Sequence, residues 1–242
     1  MKLLRTLIVV LIRLPVIGVL AIKTLTAVKR HSIEIMKRAA KNHVRARNWS
    51  NAELRKFSSL YSGSVINVSG WKDEDMTGGH YAEYFSNAGE YVISNYPGER
   101  GYQSGQDEIS LDLETEPPEG LKEHFQVVFN HTTLEHIYRV SKAIANLCAM
   151  SSDTVIIVTP FLQQVHYEEG SYGDYWRFTP MCLEKIFKEN GLEVLYQSTN
   201  DNDWYIVYVF TVASKRPDLW RDKITFERPS AHTGCGLFGL SK

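Results

Sequence analysis

The chain has 242 residues, of which 43% are hydrophobic and 23% charged, an ordinary composition for one sizeable globular domain with an appendage. Its formal net charge of -1 hides an asymmetry, because residues 1–47 carry eleven Lys or Arg against the single acid Glu34. The three cysteines, Cys148, Cys182 and Cys235, have neither CxxC nor Cys/His spacing. This argues against a disulfide framework or a structural zinc site and predicts a reducing compartment.

The first predicted element is the apolar segment 3–22, which belongs to a membrane-associating region of residues 1–30. A helix over Thr6–Ile22 would be about 25 Å long, at the short limit for crossing a bilayer. Arg13 and Pro15 interrupt it and disfavour a simple span. We therefore rank an interfacial or re-entrant anchor first, a single transmembrane span second, and a helix docked on a partner subunit third.

The basic side chains of residues 1–47 continue beyond this apolar segment and suit the anionic cytoplasmic face of a membrane. They lack interleaved aromatic residues, so we predict no nucleic-acid partner. No clean cleavage site follows the apolar segment, which argues against a secretory signal. We expect a cytoplasmic protein that associates with the inner (cytoplasmic) membrane, or with a membrane protein, through residues 1–47.

Residues 31–60 are predicted to form a helical connector, in which Leu54, Phe57 and Leu60 share one apolar face. The sequence YSGS then breaks the helical pattern, and apolar runs of strand length follow it. The main domain is therefore predicted to span residues 61–213.

Within this domain short apolar runs alternate with helical patterns, which predicts an α/β fold with a mostly parallel sheet. Seven strands are expected, at residues 64–69, 91–94, 108–111, 125–130, 154–158, 192–198 and 204–212. The last two flank a polar turn and should form an antiparallel hairpin. Helices are expected at residues 79–87, 134–150 and 180–190. The tail 214–242 has no periodicity and is expected to be irregular or ordered by a partner.

The sequence FQVVFNHTTLEHI, residues 125–137, is the most informative stretch for function. Its apolar half predicts a buried strand, and Thr132 or Thr133 would cap the following helix. Ligands of open α/β sheets sit beyond the carboxyl ends of the strands, so the polar residues of this stretch should meet a ligand. These residues are Asn130, His131, Glu135 and His136. The alternative is that a threonine caps the helix and the two histidines lie on its surface, in which case these residues have no ligand-binding or catalytic role.

The order of the elements and three motifs resemble class I S-adenosylmethionine-dependent methyltransferases over residues 61–213. FQVVFNHTTLEHI is similar to the family's FDxVxxxxVLEH segment, and the sequence LDL at residues 111–113 is similar to the end of its third strand. YWRFTP at residues 175–180 resembles methyltransferase type 11-like proteins of bacterial surface-polysaccharide gene sets. The resemblance implies a Rossmann-like seven-stranded sheet with a C-terminal antiparallel hairpin, to which this chain adds an N-terminal helical membrane-associating arm. It also implies an S-adenosylmethionine cofactor.

The first loop departs from the family's glycine-rich turn and is a degenerate cofactor loop. Only Gly70 has the expected position, and Gly78 and Gly79 come after an acidic insertion. Asn95 stands where the family has an acidic residue for the ribose hydroxyls, and an amide lacks the charge-assisted pair of hydrogen bonds. The resemblance implies eight cofactor-binding residues: Gly70, Trp71, Gly78, Gly79, Asn95, Asp112, Leu113 and Asn130.

A methyltransferase also needs a base for the acceptor hydroxyl and a surface for the acceptor. His131 is the first candidate base and His166, in the loop before YWRFTP, is the second. Tyr175 and Trp176 are expected to stack on sugar faces, and Arg177 to pair with a phosphate or carboxylate. Packing by the tryptophan and an internal ion pair of the arginine are the structural alternatives.

No metal site is expected. His131, His136, His166 and Glu135 are the available ligands, but HTTLEH lacks the HExxH spacing of a known zinc motif.

The sequence therefore predicts an S-adenosylmethionine-dependent methyltransferase that acts on a surface-polysaccharide or lipid-linked glycan intermediate. The alternative is a catalytically inactive pseudo-methyltransferase that serves as a membrane-tethered scaffold or binding subunit. An oligomer is compatible with both. A nucleotide-sugar enzyme of the same fold class would need a dinucleotide-binding glycine turn, which this chain lacks.

Overall fold

A computed structural model of the chain describes residues 26, 28–31, 46–97, 101, 104, 108–200 and 207–225. The chain divides into two compact units, Met1–Arg45 and Ala46–Lys242. In the first unit the described residues are helical, and the predicted apolar segment 3–22 lies outside them. Among the helices that the structure describes, none is both long enough and apolar enough to cross a bilayer.

The second unit is built on one seven-stranded sheet. Its strands are β1 (Ser64–Val68), β2 (Glu90–Asn95), β3 (Glu108–Ser110), β4 (Phe125–His131), β5 (Ser151–Pro160), β6 (Glu193–Thr199) and β7 (Tyr208–Ser214). Their order across the sheet is β3-β2-β1-β4-β5-β7-β6. The first five strands are parallel, whereas β7 runs antiparallel to both β5 and β6. The predicted parallel sheet with an antiparallel C-terminal pair is confirmed.

Three α-helices lie in the described part of this unit: α1 (46–57), α2 (Val140–Met150) and α3 (Pro180–Glu189). The start of α3 follows the sequence closely, because the Thr179 side chain accepts a hydrogen bond from the backbone amide of Cys182 and Pro180 occupies the first helical position. Gly191, with φ of 78°, follows the end of the helix in the left-handed conformation that glycine adopts readily.

Both faces of the central strands are covered, which explains why β4 and β5 are almost continuously apolar. On one face Ile144 of α2 and Phe187 of α3 belong to the same core as Val128 of β4. On the other face Phe57 of α1 belongs to the same core as Phe129. The sheet is therefore the middle layer of three.

The helix α1 was expected within a connector, but it lies in the same compact unit as the sheet. Leu54 and Phe57 are buried as predicted, whereas Leu60 is 37% exposed. Phe57 contacts the ring of Tyr196 on β6, with 4.7 Å between ring centroids. The packed core thus extends to Ala46, on the N-terminal side of the boundary predicted at residue 61.

The helix predicted for residues 134–150 begins only at Val140, so this prediction is wrong in its first turn and a half. Leu134–His136 form a single 3-10 turn instead, and Thr133 makes no side-chain capping bond. The predicted helix at residues 79–87 is likewise one short 3-10 turn, Tyr81–Tyr84.

The beginning of the tail is ordered and packed, contrary to the expectation for residues 214–242. Pro217–Leu219 form a 3-10 turn, after which Trp220 and Ile224 are buried. The Trp220 ring lies 4.8 Å from that of Tyr61, and its Nε1–H donates to the Asp153 carboxylate. Residues 226–242 and the hairpin turn at 201–206 lie outside the described residues.

Candidate functional site at the carboxyl ends of the strands

Polar residues follow the ends of β1 to β4 along one edge of the sheet. Val68, the last residue of β1, is flanked in register by Ser94 of β2 and Asn130 of β4. In an open α/β sheet this edge is where ligands bind. We call the residues at these strand ends the strand-end site: Gly70, Ser94, Asn95, Asp112 and Asn130.

Asn95, predicted to bind a ribose, is used to fasten the first loop to β2. Its Oδ1 accepts a hydrogen bond from the Trp71 amide at 2.6 Å, and its Nδ2 donates to the Trp71 carbonyl at 3.0 Å. The same Nδ2 donates to Oε1 of Glu108 at 2.7 Å. Asn95 is buried, whereas the indole of Trp71 is 46% exposed. The Asn95 amide therefore has no donor left for a ligand.

Glu108 is a site residue that the sequence analysis missed. It begins β3, and the parallel pairing of β3 with β2 places it opposite Ile93, two residues before Asn95. The pairing brings a carboxylate to the end of β2, where the sequence alone shows only an amide. Pairing the predicted strands β2 and β3 in parallel would have placed Glu108 near Asn95 and so could have identified it.

Gly70 has no Cβ and so leaves room for the side chain of Asn67. A Cβ at this position would lie 2.7 Å from Nδ2 of Asn67, which donates to Oδ1 of Asp73. The Gly70 amide donates to the Ser94 carbonyl at 3.1 Å. The need for glycine here is thus explained by internal packing.

The acidic insertion organises the loop itself. Oδ1 of Asp75 accepts hydrogen bonds from the amides of Thr77 and Gly79, and Oδ2 accepts from the Tyr84 hydroxyl at 2.6 Å. Although burial opposes ionisation, these three donors hold the pKa of Asp75 well below its usual range. Gly78, with φ of 103°, allows the turn between these donors. The inserted acids therefore act as a scaffold for the loop.

Two polar atoms flank the end of β1 without a hydrogen-bond partner among the described residues. Oδ1 of Asn130 and Oγ of Ser94 are both buried and unpaired, although Nδ2 of Asn130 donates to the Val68 carbonyl at 2.8 Å. Buried polar atoms are nearly always paired, and an exception calls for a bound water or ligand. Asn130, which was predicted to bind the cofactor, therefore has an unpaired hydrogen-bond acceptor in Oδ1.

Two further predicted cofactor-binding residues, Asp112 and Leu113, follow the end of β3. Leu113 is buried in the core, and the half-buried Asp112 accepts a hydrogen bond from the Glu114 amide at 2.8 Å. The preceding residue, Leu111, is joined to the end of β2 by a hydrogen bond from its amide to the Asn95 carbonyl.

His131, the first candidate base, is joined to α1. Nη1 of Arg47 lies 2.7 Å from its Nδ1, and because a guanidinium can only donate, this nitrogen accepts. Its Nε2 is 2.9 Å from Oγ of Ser50, which itself donates to the Arg47 carbonyl. Nη1 of Arg47 also lies 3.2 Å from Nε2, so the guanidinium faces both ring nitrogens. Because Arg47 occupies the position that a proton donor would need, His131 does not fit the role of base.

His166, the second candidate, lies in a cluster with Glu135 and His136. One ligand atom from each residue lies within 4.8 Å of those of the other two. His136 Nδ1 is 2.6 Å from the Gly173 carbonyl, so this nitrogen carries the hydrogen and Nε2 faces Oε1 of Glu135 at 3.7 Å. The carboxylate of Glu135 is fully buried, and neither oxygen has a hydrogen-bond partner among the described residues.

Burial shifts the pKa values of Glu135 and His136 in opposite directions. Desolvation, with a further contribution from the Asp174 carboxylate, raises the pKa of Glu135 to about 8. Desolvation also lowers the pKa of His136. Such perturbed groups are enriched at functional sites.

Arg177 was expected to bind an anionic substrate, but it holds the loop together. It makes five hydrogen bonds, which equals its number of N–H donors. Two of them form a bidentate pair with the buried carboxylate of Asp174, and three go to backbone carbonyls of the loop. Although burial opposes ionisation, this pairing holds the pKa of Asp174 below its usual range. No donor of Arg177 is left for a substrate.

The two predicted stacking residues remain accessible. Tyr175 is 52% exposed and Trp176 is 39% exposed. Nε1 of Trp176 donates to the carbonyls of Ile137 and Tyr138, which fixes the indole at the edge of a cavity of about 450 Å³. Other lining residues include Tyr138, Arg139, Lys142, Phe178 and Ile186.

No family model matches the sequence, and no curated protein is similar to it at the level of sequence. The structure is nevertheless similar to solved proteins. One is the 1,6-didemethyltoxoflavin-N1-methyltransferase of Burkholderia thailandensis, solved with 1,6-didemethyltoxoflavin and S-adenosylhomocysteine, at 14% identity and a TM-score of 0.50 over 70% of this chain and 78% of that one. Another is an S-adenosylmethionine-dependent methyltransferase of Clostridium acetobutylicum, at 8% identity and a TM-score of 0.51 over 70% and 91%. This chain therefore has the fold of these methyltransferases.

Proposed function

We propose that this protein is an S-adenosylmethionine-dependent methyltransferase whose cofactor binds at the strand-end site. The observation that carries the proposal is the pair of buried, unpartnered polar atoms, Asn130 Oδ1 and Ser94 Oγ, on either side of the end of β1. They lie in a sheet that has the fold of solved methyltransferases. Unsatisfied polar atoms at this edge are what a polar ligand would complete.

The residues at the strand ends fit the polar groups of this cofactor. The carboxylates of Glu108 and Asp112 can accept hydrogen bonds from hydroxyl or amino groups, and Oδ1 of Asn130 offers a third acceptor. Asn95 would keep its present role and hold the Trp71 loop beside them. When bound, S-adenosylmethionine supplies an activated methyl group on a sulfonium centre.

The chain's own task is to align the acceptor and take up its proton. The lone pair of His131 is occupied by Arg47, so the proton acceptor should come from the loop between β5 and α3. His166 is the candidate there, and the Arg177–Asp174 pair holds this loop in place, because Asp174 also accepts from the His166 amide.

We propose a surface-polysaccharide or lipid-linked glycan intermediate as the acceptor. Three features support this choice: exposed aromatic rings next to a cavity, the bases Arg139 and Lys142 in its wall, and a basic, apolar N-terminal segment suited to a membrane surface. The rings of Tyr138 and Tyr175 form an edge-to-face pair, 5.5 Å apart, that a sugar face could extend.

The strongest rival is a pseudo-methyltransferase that binds no cofactor and serves as a membrane-tethered scaffold. The internal hydrogen bonds of Asn95 and the close approach of Asn67 to Gly70 favour it, because both use groups that a cofactor would otherwise contact.

Calorimetry of the full chain separates the two functions. With S-adenosylmethionine and S-adenosylhomocysteine, we expect micromolar binding that Asp112→Ala weakens at least about tenfold, as loss of a charged hydrogen-bond acceptor should. Asp218→Ala is the matched control, since this exposed acid belongs to a turn after β7. If neither ligand binds at millimolar concentration, the protein is not a methyltransferase and the scaffold function is favoured.

A further inference from the structure

The cluster of Glu135, His136 and His166 has a feature that hydrogen bonding within the protein does not explain. A fully buried carboxylate with neither oxygen paired costs free energy, and proteins normally pair such a group or coordinate it to a metal. Two imidazoles lie beside it, and all three ligand atoms are within 4.8 Å of one another.

We propose that Glu135, His136 and His166 bind one divalent transition-metal ion of the zinc class. Two imidazole nitrogens and one carboxylate oxygen suit zinc, whereas magnesium and calcium prefer oxygen ligands throughout. Three protein ligands leave at least one coordination position for water or another oxygen ligand.

The orientation of His136 fits this role. Its Nδ1–H donates to the Gly173 carbonyl at 2.6 Å, which fixes the ring and leaves the lone pair of Nε2 directed to the cluster. Nε2 is 3.7 Å from Oε1 of Glu135. Ligand atoms on one tetrahedral zinc are about 3.3 Å apart, given metal–ligand distances near 2.0 Å, so this pair needs only a small approach.

His166 lies next to the carboxylate of Asp174. Oδ2 of Asp174 accepts from the His166 amide at 2.7 Å and lies 3.4 Å from its ring Nδ1. Nδ1 has no hydrogen-bond partner among the described residues, and a carboxylate beside a metal-binding imidazole can orient its ring. Arg177 in turn fixes the Asp174 carboxylate.

The metal would link two separate segments, the 3-10 turn Leu134–His136 and the loop that carries His166. The sequence contains these three residues among the available ligands but predicts no metal site, because two of them are adjacent, the third is thirty residues away, and this spacing matches no known motif. A bound metal would occupy His166 as a ligand, so this role and the role of proton acceptor in the proposed function exclude each other, and the metal-binding test decides between them. The site is inferred from these contacts alone and does not depend on methyl transfer.

The test is metal binding by the full chain after treatment with a chelator. We expect one zinc per chain by elemental analysis after dialysis, an increased melting temperature on addition of zinc, and a visible absorption band with cobalt. Glu135→Gln and His166→Ala should each weaken zinc binding by about 100-fold or more, since even the partners of metal ligands contribute about 10–100-fold. His80→Ala, which removes an exposed histidine elsewhere, should leave binding unchanged.

Glu135→Gln also distinguishes a metal ligand from a merely structural residue. It replaces a buried carboxyl group that has no hydrogen-bond partner among the described residues with an amide of the same size, so the metal-free variant should melt at about the same temperature as the metal-free parent chain. Zinc should no longer raise that temperature. Zinc content well below one per chain, equal binding of magnesium, or undiminished zinc binding by Glu135→Gln would each overturn the proposal.

Discussion

Arg47 and His131 join the first helix of the domain to the carboxyl end of its fourth strand, with 2.7 Å between Nη1 and Nδ1. The same guanidinium donates to the Tyr81 hydroxyl and to Oγ of Thr132. One side chain therefore links α1, the 3-10 turn at Tyr81 and the end of β4.

We predict that Arg47→Gln lowers the free energy of unfolding by about 2 kcal/mol, because it removes several hydrogen bonds to a charged group. Urea denaturation measures the change. Arg221→Gln is the control, since Arg221 forms exposed ion pairs and its loss should cost at most about 0.5 kcal/mol. Equal effects of the two substitutions would mean that the Arg47–His131 contact contributes little.

A second prediction concerns the start of the folded domain. A chain that begins at Ala46 should show a cooperative thermal transition, whereas one that begins at Tyr61 should not. The second truncation removes Leu54 and Phe57 from the core, and buried residues of this size each contribute about 2–5 kcal/mol. It also removes Glu53, which accepts a hydrogen bond from Tyr196. Circular dichroism during heating distinguishes the two chains. A cooperative transition of the chain that begins at Tyr61 would show that the folded domain begins at residue 61, as the sequence predicts.

Membrane association through residues 1–47 is a prediction from the sequence, and the same truncation tests it. The full chain should sediment with membranes that contain anionic lipids, and the chain that begins at Ala46 should stay in the supernatant. Circular dichroism shows whether the truncated chain is folded. A folded, truncated chain that still sediments would place the membrane contact in the domain.

The pH dependence of Asp75 gives a fourth prediction. Its pKa in the folded state is below the value in the unfolded state, so its contribution to stability is present above about pH 4 and is lost as pH falls toward the folded-state pKa. Asp75→Asn should therefore lower the free energy of unfolding by about 2 kcal/mol at pH 7.

The difference between the parent chain and Asp75→Asn should shrink below pH 4, as measured by urea denaturation across that range. A difference that stays constant from pH 7 to pH 3 would show that the carboxylate charge does not support the loop.

Much of the fold could be predicted from local patterns. The alternation of apolar runs and helical segments gave the parallel sheet, and the Thr179–Pro180 start of α3 follows from capping chemistry. The start of α2 could not be predicted in this way, because distant residues decide it. The loop before α3 uses carbonyls that a longer helix would need: the Tyr175 amide donates to Glu135, and the Trp176 indole donates to Ile137.

The candidate site was predictable only in position. Parallel strands bring Asn95, Asp112 and Asn130 to one edge, and the sequence shows which residues end the strands. What each side chain does there depends on partners distant in sequence, such as Glu108 for Asn95 and Arg47 for His131. Patterns of neighbouring residues carry no information about such contacts.

The most direct test of the account is a crystal structure of the full chain grown with S-adenosylhomocysteine. We predict that the ligand binds at the strand-end site, within hydrogen-bonding distance of Asn130 Oδ1 and the Asp112 carboxylate. A structure grown with millimolar ligand in which this edge of the sheet binds only water, with Asn95 still bonded to Trp71 and Glu108, would contradict it.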